Sequence, residues 1–199
     1  MTNSKLVFDR NMLVIKDSVS LYKYLEKNAK NFDSAILLRS QFVLIVSAFD
    51  TYVHTAIIDR IVSAYFSETH DFDINIEIPL ALAFEMESCD DLIQKKGKLL
   101  LFLRKTLSKD SFQSPTSIEY AFSIIGKKKI WTFLERDGGK KAEDIRNQLA
   151  LFVKRRNKIA HESDWNASTE EYEKIDLQTV LNCMEFFNEV VSKLDEMFV

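Results

Sequence analysis

Between Ser34 and Phe66 the chain holds neither glycine nor proline, and Leu38, Phe42, Ile45, Phe49, Val53, Ala56 and Ile61 recur at near-helical spacing. A run of that length and period reads as one long central helix, around which the rest of the fold has to be arranged. Composition agrees. With 46% hydrophobic residues, 15 Phe, 4 Gly and 2 Pro among 199, the chain suits long helices around a sizeable core and suits turn-rich β structure poorly. No stretch reads as a hinge between two halves, so residues 1–199 are expected to form a single all-α domain.

Weaker signals place the other elements. A first helix is expected after Asp17 or Ser18, with Val19, Tyr22 and Leu25 on one side, and the spacing predicts another from Leu92 to Leu107 with a basic outer face. Ser67 to Pro79 breaks the pattern and reads as an excursion, either a loop or a short extended piece carrying Ile74, Ile76 and Ile78. Ser117 is expected to cap a short helix reaching Ile125, Ile130 to Leu134 forms a second, and Gly126 and Gly138-Gly139 punctuate them. Lys141 to His161 places Ile145, Leu149, Phe152 and Ile159 on related turns. After a polar connector containing Trp165, Asp176 is a good N-cap for a last helix bearing Val180, Met184, Phe187, Val191, Leu194 and Phe198.

The charge balance narrows the function classes. With 27 basic against 30 acidic residues the net charge is −3, so any nucleic-acid contact must use a local patch. Lys127 to Lys129, Lys140 with Lys141, and Lys154 to Arg156 are the candidate runs, and the plainer alternative for such runs is a solvated helix face. Cys89 and Cys183 are too few and too widely spaced for a disulfide framework or a thiolate metal site, and each is expected as a small buried hydrophobe in a reducing environment. Met1 to Arg10 lacks a basic region followed by an apolar stretch, and no run is expected to reach bilayer-crossing length, which points to a cytoplasmic protein without a membrane partner.

No Gly-rich phosphate loop, zinc-type His or Cys pair, or serine nucleophile elbow is present, and no metal or cofactor is expected. What remains is Arg155-Arg156-Asn157-Lys158-Ile159-Ala160-His161-Glu162, a dense polar cluster ending an amphipathic helix. At about 100° per residue Asn157 and His161 share a face, whereas Arg156 lies about 140° from His161 unless the helix ends or bends between them. Near a helix C-terminus the dipole favours an imidazolium, which suits a group that gives and takes a proton. Such a trio fits RNA cleavage by 2′-hydroxyl attack: histidine transfers protons, arginine binds phosphate oxygens in pairs, and asparagine orients either without adding charge. The same residues also serve merely to cap a helix and bind neighbouring carboxylates.

Arg156-Asn157-Lys158-Ile159-Ala160-His161 resembles the signature of the HEPN superfamily: Arg, a polar residue, three others, then His. Leu38-Arg39-Ser40 and Ala48-Phe49-Asp50-Thr51-Tyr52-Val53-His54 look like the long early helix of its RiboL-PSP branch. The resemblance spans most of the helical frame. It implies a HEPN-type helical bundle with short additional helices, commonly a homodimer whose paired motifs face one cleft. It also implies a metal-independent ribonuclease of toxin-antitoxin or antiphage defence, with RNA as substrate and a cognate antitoxin or other defence-system protein as partner. Arg156, Asn157 and His161 would be catalytic, and Lys154, Arg155 and Lys158 would bind RNA. The alternative within the superfamily is a non-catalytic module that binds RNA, nucleotide or a partner protein. Arg39 and Asp50, eleven residues apart on nearly one face, are the supporting candidates. Asp50 is expected to meet Arg39, Arg156 or another cation, either as a structural salt bridge or to position Arg156. His54 is expected as a satisfied interior or rim histidine rather than a catalyst.

Overall fold

The computed structural model describes residues 1–29, 31–67, 73–136 and 139–198. Helix α1 (Asn3–Asn28) begins at Thr2, whose side chain accepts from the N–H of Lys5, and buries Phe8, Met12, Ile15, Val19 and Tyr22. Those alternating spacings of four and three belong to a helix packed along its length, so α1 starts well before the expected Asp17 or Ser18. The long helix α2 (Ala35–Tyr65) runs back along it: Ser18 meets Gln41, Phe8 meets Tyr52 and Asn3 meets Asp59. Among the described residues there follow α3 (Leu80–Glu87), α4 (Leu92–Leu107), α5 (Pro115–Ile124), α6 (Ile130–Leu134), α7 (Ala142–Glu162) and α8 (Leu177–Asp195). Between α7 and α8 the strands β1 (Trp165–Asn166) and β2 (Glu171–Tyr172) pair antiparallel, Trp165 opposite Tyr172.

Helix α2 is apolar on nearly every side because α1, α4, α5, α7 and α8 all pack against it. Its length and its mean hydropathy of 1.4 over 18 residues are enough to cross a membrane, which corrects the expectation that no run reaches that length. Within the fold these side chains are taken up by neighbours: Phe42 meets Phe152 of α7, and Phe49 meets Phe187 of α8. Phe152 also touches Phe186 and Phe187, so one aromatic cluster fixes α7 against both α2 and α8.

Three local expectations change. Helix α3 lies where no helix is expected, since only Met86 of its eight residues is buried and the apolar period is nearly absent. Helix α5 is capped by Ser114 rather than Ser117. The Ser114 hydroxyl accepts from the Ser117 N–H, the Ser117 hydroxyl accepts from the Ser114 N–H, and Pro115 takes the first helical position. Cys183 is buried, which pushes its thiol pKa up, but Cys89 is only half-buried and donates to the Glu85 carbonyl. Residues 73–79 carry no regular structure, and Asn75 donates its N–H to the Ile124 carbonyl at the end of α5. The rest of the expected excursion at 68–72, and Gly138, lie outside the described residues.

Candidate active site

Helix α7 buries Ile145, Leu149, Phe152 and Val153 and ends abruptly after Glu162. Ser163 (φ 53°) and Asp164 (φ 64°) both adopt the left-handed conformation, and both send their N–H to the Lys158 carbonyl. For residues other than glycine this conformation costs about 1–2 kcal/mol each, so something must hold it. The Asp164 side chain, fully buried, accepts at one oxygen from Arg39 Nε (3.1 Å) and Arg155 Nη2 (2.7 Å). Arg39 also donates to the Glu173 carbonyl (2.9 Å) and lies 5.3 Å from the Tyr172 ring centre, and Arg155 donates to the Lys174 carbonyl (3.1 Å). One carboxylate therefore ties α2, the end of α7 and the β1–β2 hairpin together.

This arrangement corrects the expected partners of Arg39 and Asp50. Asp50 meets neither Arg39 nor Arg156; it accepts from the Phe112 N–H (2.7 Å) and Gln113 Nε2 (3.2 Å), with His54 Nε2 at 3.7 Å. Eleven residues bring two side chains to one helix face but also separate them by about 16 Å along the axis. Arg39 thus reaches the α7 end while Asp50 reaches the connector before α5. His54 is half-buried against the Phe112 ring, 4.3 Å between centres.

Asn157 and His161 are exposed and line one groove of about 630 Å³. Its walls are α7, through Ala150, Val153, Lys154, Lys158 and Glu162, and the start of α5, through Ser114 and Pro115. Arg156 is not among the lining residues. Because α7 runs unbroken from Ala142 to Glu162, the angle of about 140° between Arg156 and His161 persists. Arg156 is half-buried, its Nε enclosed without a partner, and its Nη1 donates to Asn157 Oδ1 at 3.0 Å. The guanidinium therefore touches a groove residue without entering the groove, and leaves the Asn157 amide N–H groups free to donate.

The neighbouring cations separate into different roles. Arg155, expected at an RNA surface, is held in the Asp164 clamp with its side chain 24% exposed. Lys158 lines the groove but bonds Glu173 at 2.8 Å, and this contact, with a second from Asn166, holds the Glu173 carboxyl below its ordinary pKa. Lys154 is exposed on the groove and has no hydrogen-bond or ion-pair partner among the described residues. Among those residues no three His, Cys, Asp or Glu side chains gather in a way that would hold a metal ion. Asp164 and Glu173 escape sequence reasoning. The one available signal is an aspartate just past a helix end, a residue type that tolerates left-handed backbone.

A helical bundle whose penultimate long helix ends on Arg, Asn, three residues and His, followed by a connector and one final helix, has the arrangement of a HEPN domain. Compared with known families, residues 11–199 match RiboL-PSP-HEPN, and the chain belongs to that family. No curated protein and no solved structure matches it.

Proposed function

We propose that this protein is a metal-independent endoribonuclease acting in the cytoplasm, as a homodimer, within a toxin-antitoxin or antiphage defence system. The observation that carries this reading is the link from the Arg156 guanidinium to Asn157, which shares a groove with the exposed His161. In the proposed reaction the ribose 2′-oxygen attacks the adjacent phosphorus while His161 takes its proton. The bond from phosphorus to the 5′-oxygen breaks, that oxygen takes the proton from the His161 imidazolium, and a 2′,3′-cyclic phosphate and a 5′-hydroxyl result. The Asn157 amide donates to the phosphate oxygens as charge builds on them, and Arg156 joins it by turning from Asn157 Oδ1 toward the groove. A second copy facing the groove supplies the further cation that one chain holds off to the side. DNA, lacking the 2′-hydroxyl, is not cleaved by this route.

The position of Arg156 outside the groove favours one competing reading, a module that binds RNA, nucleotide or a partner protein without cleaving. RNA cleavage in excess EDTA separates the two. The parent should cleave, and His161→Ala and Arg156→Ala should each lose roughly 10²–10⁴-fold in rate. Full activity in both variants rejects this site, and a parent that binds RNA but leaves it intact supports the module. Growth inhibition on expression, relieved by His161→Ala, is the outcome expected of a toxin.

A further inference from the structure

The groove holding Asn157 and His161 does not end at Ala150. It meets a second groove, of about 810 Å³, and the two share Pro115 and Ala150 as lining residues. Along α7 the floor of the combined trough is a single stripe, Asn147, Ala150, Lys154, Asn157 and His161, whose spacings of three and four keep it on one side of the helix. From Asn147 to His161 the stripe is about 21 Å long. The far wall carries Lys128 and Lys129, part of a basic run that the catalytic reading leaves unused.

The charge of the trough differs from that of the whole molecule. Lys128, Lys129, Arg146, Lys154 and Lys158 line it against Glu143 and Glu162, in a chain of net charge −3. Lys129 and Lys154 have no ion-pair partner among the described residues. Lys128 faces Asp73 at 4.0 Å with both side chains 76% exposed, and Arg146 faces Glu119 at 3.3 Å. Exposed pairs of this kind are weak, so a phosphate can displace them. Each groove falls in the range of about 300–1,000 Å³ that accommodates small ligands the size of a nucleotide. Among the described residues the one aromatic ring lining the far end, Trp131, is buried, and its Nε1 is engaged by Glu119, so it offers no open face for a base. Contacts there fall on the sugar-phosphate backbone, which positions a strand without reading its sequence.

We propose that this trough is an extended binding site for single-stranded RNA, in which Lys128 and Lys129 hold phosphates several nucleotides from the scissile bond. The choice of ligand rests on the ribonuclease reading, and the site itself rests on the continuity and charge of the two grooves. Affinity therefore rises with strand length and is indifferent to base identity.

The test uses the full chain carrying His161→Ala, so that RNA survives, and fluorescence anisotropy with labelled oligouridylates and oligoadenylates of about three and about twelve nucleotides. The longer strands should bind at least about tenfold more tightly, with either base, and Lys128→Glu/Lys129→Glu should abolish that advantage. At about 0.7 per phosphate contact on a single strand, the same double variant should lower the slope of log affinity against log salt by about 1.4. Lys16→Glu/Lys23→Glu, an equal charge change on the exposed side of α1, should leave both quantities unchanged. A retained length advantage in the Lys128/Lys129 variant, or an equal loss in the α1 variant, overturns the proposal. Lysine-dependent binding by a parent chain that never cleaves RNA would sink the nuclease reading and leave the trough standing; His161-dependent cleavage with unaltered length dependence would do the reverse.

Discussion

Removing the Asp164 charge tests whether the end of α7 is held as the structure implies. The carboxylate is 0% exposed and faces Arg39, 9% exposed, and Arg155, 24% exposed, through the same oxygen. Asp164→Asn keeps the volume, the tolerance of left-handed backbone and one acceptor, and it loses the charge that strengthens two hydrogen bonds. Bonds to charged groups contribute about 1.5–3 kcal/mol, and since Arg39 keeps the Glu173 carbonyl, the expected loss is about 2–3 kcal/mol. Asp164→Ala leaves a buried guanidinium short of its counter-charge, about 3–5 kcal/mol, and adds the left-handed penalty of about 1 kcal/mol. Arg155→Ala, on the more exposed arm, should cost less than half of that. Urea unfolding followed by far-UV circular dichroism measures all three, with an unchanged slope against urea showing that only stability has moved. For a chain of this size the asparagine variant should melt about 5–10 °C lower. Loss of less than about 0.5 kcal/mol in Asp164→Asn, or a larger cost for Arg155→Ala than for Asp164→Ala, would refute the clamp.

Two further perturbations probe other parts of the frame. Gly126 has φ +74°, and a Cβ there would lie 2.8 Å from the Asp73 carbonyl oxygen, so Gly126→Ala should cost about 2–3 kcal/mol in a thermal melt; equal stability would mean that residues 73–75 are not seated on the α5 end. Burial pushes the Asp59 carboxyl above its ordinary value of 3.8, against the opposing hydrogen bond from Asn3 and the charge of Arg104. The folded state therefore binds that proton more tightly than the unfolded chain, and stability from this group falls as pH rises from the ordinary value through the raised one. Asp59→Asn should gain on the parent progressively above about pH 4 in melts from about pH 3 to 7, and a constant offset across that range would disprove the assignment.

The parts of the fold that were legible are those where one apolar stripe dominates. Helix α4 matches its expected span from Leu92 to Leu107, and α8 begins at the expected cap, Asp176, whose side chain accepts from the Thr179 N–H. The first half of α1 was hidden because Met12, Leu13, Val14 and Ile15 are all apolar; Met12 and Ile15 are buried, Leu13 and Val14 are exposed, and composition alone does not distinguish them. Helix geometry correctly placed Asn157 and His161 on one face with Arg156 turned away, since that depends only on the period of α7. The partners of the supporting residues were not legible. Arg39 meets Asp164 across 125 positions of chain, and no local pattern distinguishes Asp164 from Asp50 as its counter-charge.

Arg39 and Asp50 nevertheless each bond a segment next to one wall of the same groove. The groove has two walls, the last turns of α7 and the start of α5, and each wall is tied to α2 by a carboxylate. At one tie α2 contributes the cation, Arg39, and the carboxylate lies just past His161, where Asp164 sets the point at which α7 stops. At the other α2 contributes the carboxylate, Asp50, and the donors are Phe112 and Gln113, immediately before the Ser114 and Pro115 that form the opposing wall. Helix α2 runs unbroken from Ala35 to Tyr65, so the two ties lie about 16 Å apart along its axis. Arg39 and Asp50 thus bear on the groove through its two walls and not through Arg156, whose guanidinium bonds Asn157.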